Sequence, residues 1–91
     1  MNYKRIQIVT KGTNNEGQLS FFESKELGFE IRRIYYIYGV PQGVQRGGHA
    51  HKKLRQLLFC PYGSIKLILD DGYEKKEVIL NNQSEGLLLE M

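Results

Sequence analysis

The sequence has no tryptophan, one cysteine and two prolines among its 91 residues. A lone Cys60 excludes an internal disulfide, and its neighbours Leu57, Leu58 and Phe59 mark it as a buried core thiol rather than a reactive one. No uninterrupted apolar run is long enough to span a bilayer, and Met1-Asn2-Tyr3-Lys4-Arg5 carries no apolar segment of the signal-peptide kind. The chain is therefore expected to be soluble and cytoplasmic, without membrane contacts. Helical signals are also scarce. Apart from a turn at Ser24-Lys25-Glu26, no segment combines a 3.6-residue period with a capping pattern. A long basic stripe is missing too: Lys and Arg exceed Asp and Glu by 13 to 10, a net charge of +3 that favours an anionic partner. No RNA- or DNA-binding motif accompanies it, so nucleic acid is not the expected partner. At this length one small domain fits, with a thin core of the kind that a partner chain often supplements.

What is present is a series of short runs of β-branched and aromatic residues separated by turns. Strands are expected at residues 5–9 and 18–23, with a polar loop at 10–17 between them. The strongest strand signal is Ile31-Arg32-Arg33-Ile34-Tyr35-Tyr36-Ile37-Tyr38, ended by Gly39. A Gly- and Pro-bearing loop then leads to residue 49, and strands follow at 56–62 and 64–69. Asp71-Gly72 reads as a tight hairpin with residues 77–80 in its return strand, and 81–86 as a further turn before Leu87-Leu88-Leu89. Asp70-Asp71 is read as turn chemistry, not as a catalytic carboxylate pair. The class is all-β, a barrel or sandwich.

Only two histidines occur, and they stand one residue apart in Arg46-Gly47-Gly48-His49-Ala50-His51-Lys52-Lys53. On an extended backbone His49 and His51 share a face, with Cα atoms roughly 7 Å apart. Either imidazole suits a metal ligand, a general base or a general acid, since it titrates at about 6.5 when unperturbed.

Spacing narrows the choice. Gly43, His49, His51, Gln56 and Gly63 follow the order of the first conserved motif of the cupin superfamily, which resembles this segment except at Gln56, where metal-binding cupins place glutamate. An amide is a weaker ligand than a carboxylate, and no histidine follows His51, so no metal is expected. The flanking runs Arg33-Ile34-Tyr35-Tyr36-Ile37-Tyr38, Arg46 through Leu54, Gln56 and Ile68-Leu69-Asp70-Asp71-Gly72 resemble the WxcM-like sugar nucleotide 3,4-ketoisomerases.

That resemblance implies a cupin-like jelly-roll barrel, incomplete in one chain. Residues 1–91 would form a single domain that lacks the family's carboxy-terminal strands. It implies a metal-free isomerase, with no cofactor, that moves the keto group of dTDP-4-keto-6-deoxyglucose from C4 to C3 through an enediol. His49 and His51 would be the acid-base pair, with His49 favoured as the base. Tyr35 or Tyr38 would polarise the enediolate. Arg33 and Arg46 would grip the diphosphate, since a guanidinium offers two parallel hydrogen bonds. Lys52 and Lys53 are weaker candidates for the same task. Gln56 would bind substrate or satisfy a buried backbone group, two readings that the sequence leaves equal. The resemblance also implies a homodimer, which strand exchange across open sheet edges would build economically. Two other readings stay open: a non-catalytic sugar-nucleotide-binding module and a metal-dependent cupin enzyme.

Overall fold

The computed structural model describes residues 2–46 and 55–90. Seven strands and one helical turn occur among them, in the order β1 (Asn2–Gln7), β2 (Val9–Thr13), β3 (Gly17–Phe21), α1 (Ser24–Leu27), β4 (Arg55–Phe59), β5 (Ile65–Asp70), β6 (Lys75–Leu80) and β7 (Glu85–Glu90). No described helix is long and apolar enough to cross a membrane.

The last strand lies at the centre of the main sheet, whose order is β1-β7-β4, antiparallel throughout. Its run of three leucines reflects that position, because a central strand covered on one face and partly covered on the other need not alternate strictly. Leu87 and Leu89 are buried and Leu88 is half-buried. The β5–β6 hairpin shows the cleaner period of two. Leu67 and Leu69 on β5, with Val78 and Leu80 on β6, turn inward while Lys66, Ile68, Glu77 and Ile79 face out. Cys60, Leu69, Val78, Leu80, Leu87 and Leu89 make one core, with Leu58 and Leu67 packed against it. Two sheets therefore share one apolar layer. Arg5 ties them at the rim, its guanidinium donating to the Ile79 carbonyl at 3.0 Å and pairing with Glu85 at 3.4 Å.

Backbone demands explain two glycines. Gly86 sits inside β7, where an added Cβ would lie 2.9 Å from Leu57 Cδ1 and 3.3 Å from the Leu58 carbonyl oxygen. Gly12 in β2 has a φ of +138°, and a Cβ there would overlap the Gly17 carbonyl across the hairpin.

Several expectations are corrected. Residues 10–17 are not one loop: Val9–Thr13 forms a strand that pairs with Gly17–Phe21, leaving only Asn14-Asn15-Glu16 as the turn. Gly86 belongs to a strand, not to the preceding turn. The largest correction concerns residues 31–38, which form no strand, and no described strand pairs with them. β-branched and aromatic residues favour a pleated, half-buried surface, and that preference is realised only when a neighbouring strand supplies the ladder. Here Ile34, Tyr36 and Tyr38 are 79, 81 and 82% exposed, against 56 and 55% for Tyr35 and Ile37. The alternation is that of an extended chain with one side turned to the protein.

The fold class nonetheless agrees with the sequence reading. The chain is nearly all β, and its sheets of three, two and two strands do not close on one another among the described residues, as in a partial cupin-like jelly roll.

Candidate functional site

The segment 31–38 gains its position from what precedes it. One turn of helix buries Leu27 and ends at Gly28, whose φ of +79° is the left-handed conformation that glycine adopts most readily. Arg55 at the start of β4 reaches back to that cap, donating to the Gly28 carbonyl at 3.3 Å while its Nε lies 3.6 Å from a Glu90 carboxylate oxygen. The Ile31 amide donates to Ser24 Oγ at 3.4 Å. These contacts hold the start of the segment beside the β4 end of the main sheet. Nothing in the sequence pointed to Arg55, because its partner lies 27 positions away and is a backbone carbonyl.

Next along β4, Gln56 stands opposite Leu89 of β7. Its Nε2 donates to the Tyr35 phenol oxygen at 3.1 Å. The guanidinium carbon of Arg33 lies 5.6 Å from the centroid of the Tyr35 ring, a cation–π contact that favours one ring orientation. Three of the residues singled out from sequence, Arg33, Tyr35 and Gln56, are thus brought together. Gln56 meets a side chain, where the sequence allowed either substrate or a backbone group as its partner. Tyr36 and Tyr38 pack on each other instead, with centroids 5.7 Å apart on the outer side.

Arg46 follows a tight turn in which the Val44 amide donates to the Pro41 carbonyl at 3.1 Å and Gly43 takes a φ of +83°. It is exposed and makes no ion pair among the described residues. His49, His51, Lys52 and Lys53 lie outside the described residues. Among those that are described, no cluster of three or more His, Cys, Asp or Glu is placed to hold a metal ion.

The adjacent aspartates serve the β5–β6 turn. Asp70 Oδ1 accepts from the Gly72 amide at 2.8 Å, and Asp71 Oδ1 accepts from the Tyr73 and Glu74 amides at 2.9 and 2.7 Å. The Tyr73 and Glu74 amides hold the Asp71 carboxyl below the usual aspartate range, since backbone donors favour the charged form. Cys60 is buried, its thiol directed at the Tyr62 carbonyl at 3.2 Å.

The chain is similar to known proteins over its whole length. The family model described as "FdtA: WxcM-like, C-terminal" matches residues 1–91. A TDP-4-oxo-6-deoxy-alpha-D-glucose-3,4-oxoisomerase from Aneurinibacillus thermoaerophilus is 40% identical over 87 residues, covering 96% of this chain and 59% of that protein. A crystal structure of a 3,4-ketoisomerase from Helicobacter canadensis aligns with a TM-score of 0.89 at 43% identity, over 99% of this chain and 68% of that one. A point mutant of the 3,4-ketoisomerase QdtA from Thermoanaerobacterium thermosaccharolyticum, in complex with TDP-4-keto-6-deoxyglucose, aligns with a TM-score of 0.89 at 37% identity, over 98% and 64%. The chain thus spans about 59% of the length of the curated relative.

Proposed function

The chain belongs to the FdtA WxcM-like C-terminal family, and from that premise we propose that it is a sugar nucleotide 3,4-ketoisomerase acting on dTDP-4-keto-6-deoxyglucose. The observation that carries the reading is the Gln56 hydrogen bond to Tyr35 beneath the Arg33 guanidinium. It joins a polar residue at the position of the cupin glutamate to a phenol and a cation.

The reaction needs no net oxidation. A base removes the proton on C3 of the 4-ketone, and the electron pair of that C–H bond becomes the C3–C4 double bond while the C4 carbonyl takes up negative charge. The resulting enediol passes its O3 proton on, C3 becomes the ketone, and C4 is protonated from an acid. Imidazoles suit both ends of this sequence near neutral pH. His49 is the base and His51 its relay or orienting partner. Tyr35 supplies a proton to the developing oxyanion, and Arg33 and Arg46 neutralise the diphosphate, with Lys53 a weaker contact for the same charge. The amide at position 56, where metal-binding cupins place a carboxylate, favours metal-free chemistry.

Solvent-deuterium incorporation tests this. The unaltered chain with dTDP-4-keto-6-deoxyglucose in D2O is expected to give an isomerised sugar labelled at C4, and His49→Asn and His51→Asn to lose the label while still binding dTDP. Exchange retained in both variants refutes the assignment. A second reading is a sugar-nucleotide-binding module without turnover, because the exposed guanidiniums of Arg33 and Arg46 can hold a diphosphate without any proton transfer. Binding of dTDP by the unaltered chain with no labelled product selects it. Stoichiometric iron, zinc or manganese in the purified chain would instead select the metal-dependent reading.

We also propose that the chain is a homodimer, with or without exchanged strands. β1 and β4 flank β7 as open edges among the described residues, and an unpaired edge is a template for another chain.

A further inference from the structure

We infer that Gln56 is a positioning residue, which orients the Tyr35 hydroxyl so that its proton points away from β4 and toward bound substrate. A phenol oxygen has one proton and acceptor capacity, and conjugation keeps the O–H bond in the ring plane on one of two sides. Gln56 Nε2 donates to that oxygen at 3.1 Å and so occupies an acceptor side. The phenol proton then takes the opposite side. The Arg33 guanidinium over the ring, at 5.6 Å, favours one ring plane and with it the direction of the O–H bond. A glutamate at this position would do the reverse: a carboxylate only accepts, so it would draw the phenol proton onto β4 and leave a substrate oxygen without a donor. The amide thus replaces a metal-type ligand with a hydrogen-bond donor, and its use is to set the polarity of a neighbouring hydroxyl. This rests on the isomerase reading for the identity of the substrate, but the orientation itself is a property of the unliganded chain.

Two readouts separate the two. In the chain labelled with [ζ-13C]tyrosine, Tyr35→Phe identifies the Tyr35 line. Gln56→Met, which keeps the length and removes the donor, is expected to move that line and leave the lines of the other tyrosines in place. Gln56→Glu is expected to move it in the opposite sense. A Tyr35 line unmoved by Gln56→Met in a variant whose other lines match the parent overturns the inference. With substrate, Gln56→Glu is expected to lower kcat about tenfold, the scale of a proton transfer in part misdirected, with KM within about twofold. In a Tyr35→Phe background the same substitution is expected to cost nothing further, because no hydroxyl is left to orient. Additive losses overturn the inference. A parent chain without turnover refutes the isomerase reading, and the NMR lines then decide the orientation alone.

Discussion

Replacing Leu87 by alanine tests the account of the core most directly. Leu87 is 0% exposed at the middle of β7, opposite Arg5 on one neighbouring strand and Leu58 on the other. The change removes about three methylene equivalents, worth roughly 2.4 kcal/mol in transfer free energy at about 0.8 kcal/mol each. A cavity term adds to this, and leucine-to-alanine changes in cores cost about 2–5 kcal/mol in total. About 3 kcal/mol is therefore expected. A domain of this size has a total stability of roughly 5–14 kcal/mol, so the loss is a substantial fraction of the whole. Each kcal/mol shifts Tm by about 4–8 °C for domains of this length, which gives a fall of roughly 12–24 °C. Thermal melts followed by far-UV circular dichroism at fixed protomer concentration measure it. Leu19→Ala is the control, because Leu19 is 65% exposed on β3 and its loss should change stability by no more than about 0.5 kcal/mol. A fall of less than about 4 °C for Leu87→Ala, or an equal fall for both variants, would refute the placement of the core around β7.

Two further outcomes are expected. The Asp71 carboxyl is held below its ordinary value of 3.8 by the Tyr73 and Glu74 amides, so its contribution is present above that value and is lost as pH falls through the depressed one. The Tm advantage of the parent over Asp71→Asn should thus be seen near neutrality and shrink in acid below the ordinary aspartate range; a gap constant across that span would show that the charge plays no part. Light scattering on the purified chain at micromolar concentration should report the dimer mass, and monomer alone would refute the paired-edge proposal.

Local chemistry made much of the fold legible. The alternation Leu67, Leu69 and Val78, Leu80 identifies two strands with inward faces, and Asp70-Asp71-Gly72 between them identifies their turn. Both follow from interactions spanning a few residues. The hairpin at residues 9–21 was harder to see, because it is exposed nearly throughout and shows no inward apolar face to mark its strands. Residues 31–38 mislead for the opposite reason: their composition is that of a strand, yet a ladder depends on a partner that composition does not supply.

The candidate site divides in the same way. From the sequence alone came the motif Gly43, His49, His51, Gln56, Gly63 and the identities of the groups able to move protons or hold phosphate. Those follow from residue chemistry and spacing. Only the tertiary structure decided that Gln56 meets Tyr35, 21 positions earlier, and that Arg33 lies over the same ring. Such meetings depend on where β4 sits against β7 and on the hold of Arg55 upon the Gly28 cap, which are long-range consequences of burying one apolar layer. A hydrogen bond between side chains far apart in sequence leaves no local pattern, because its geometry is set by packing elsewhere.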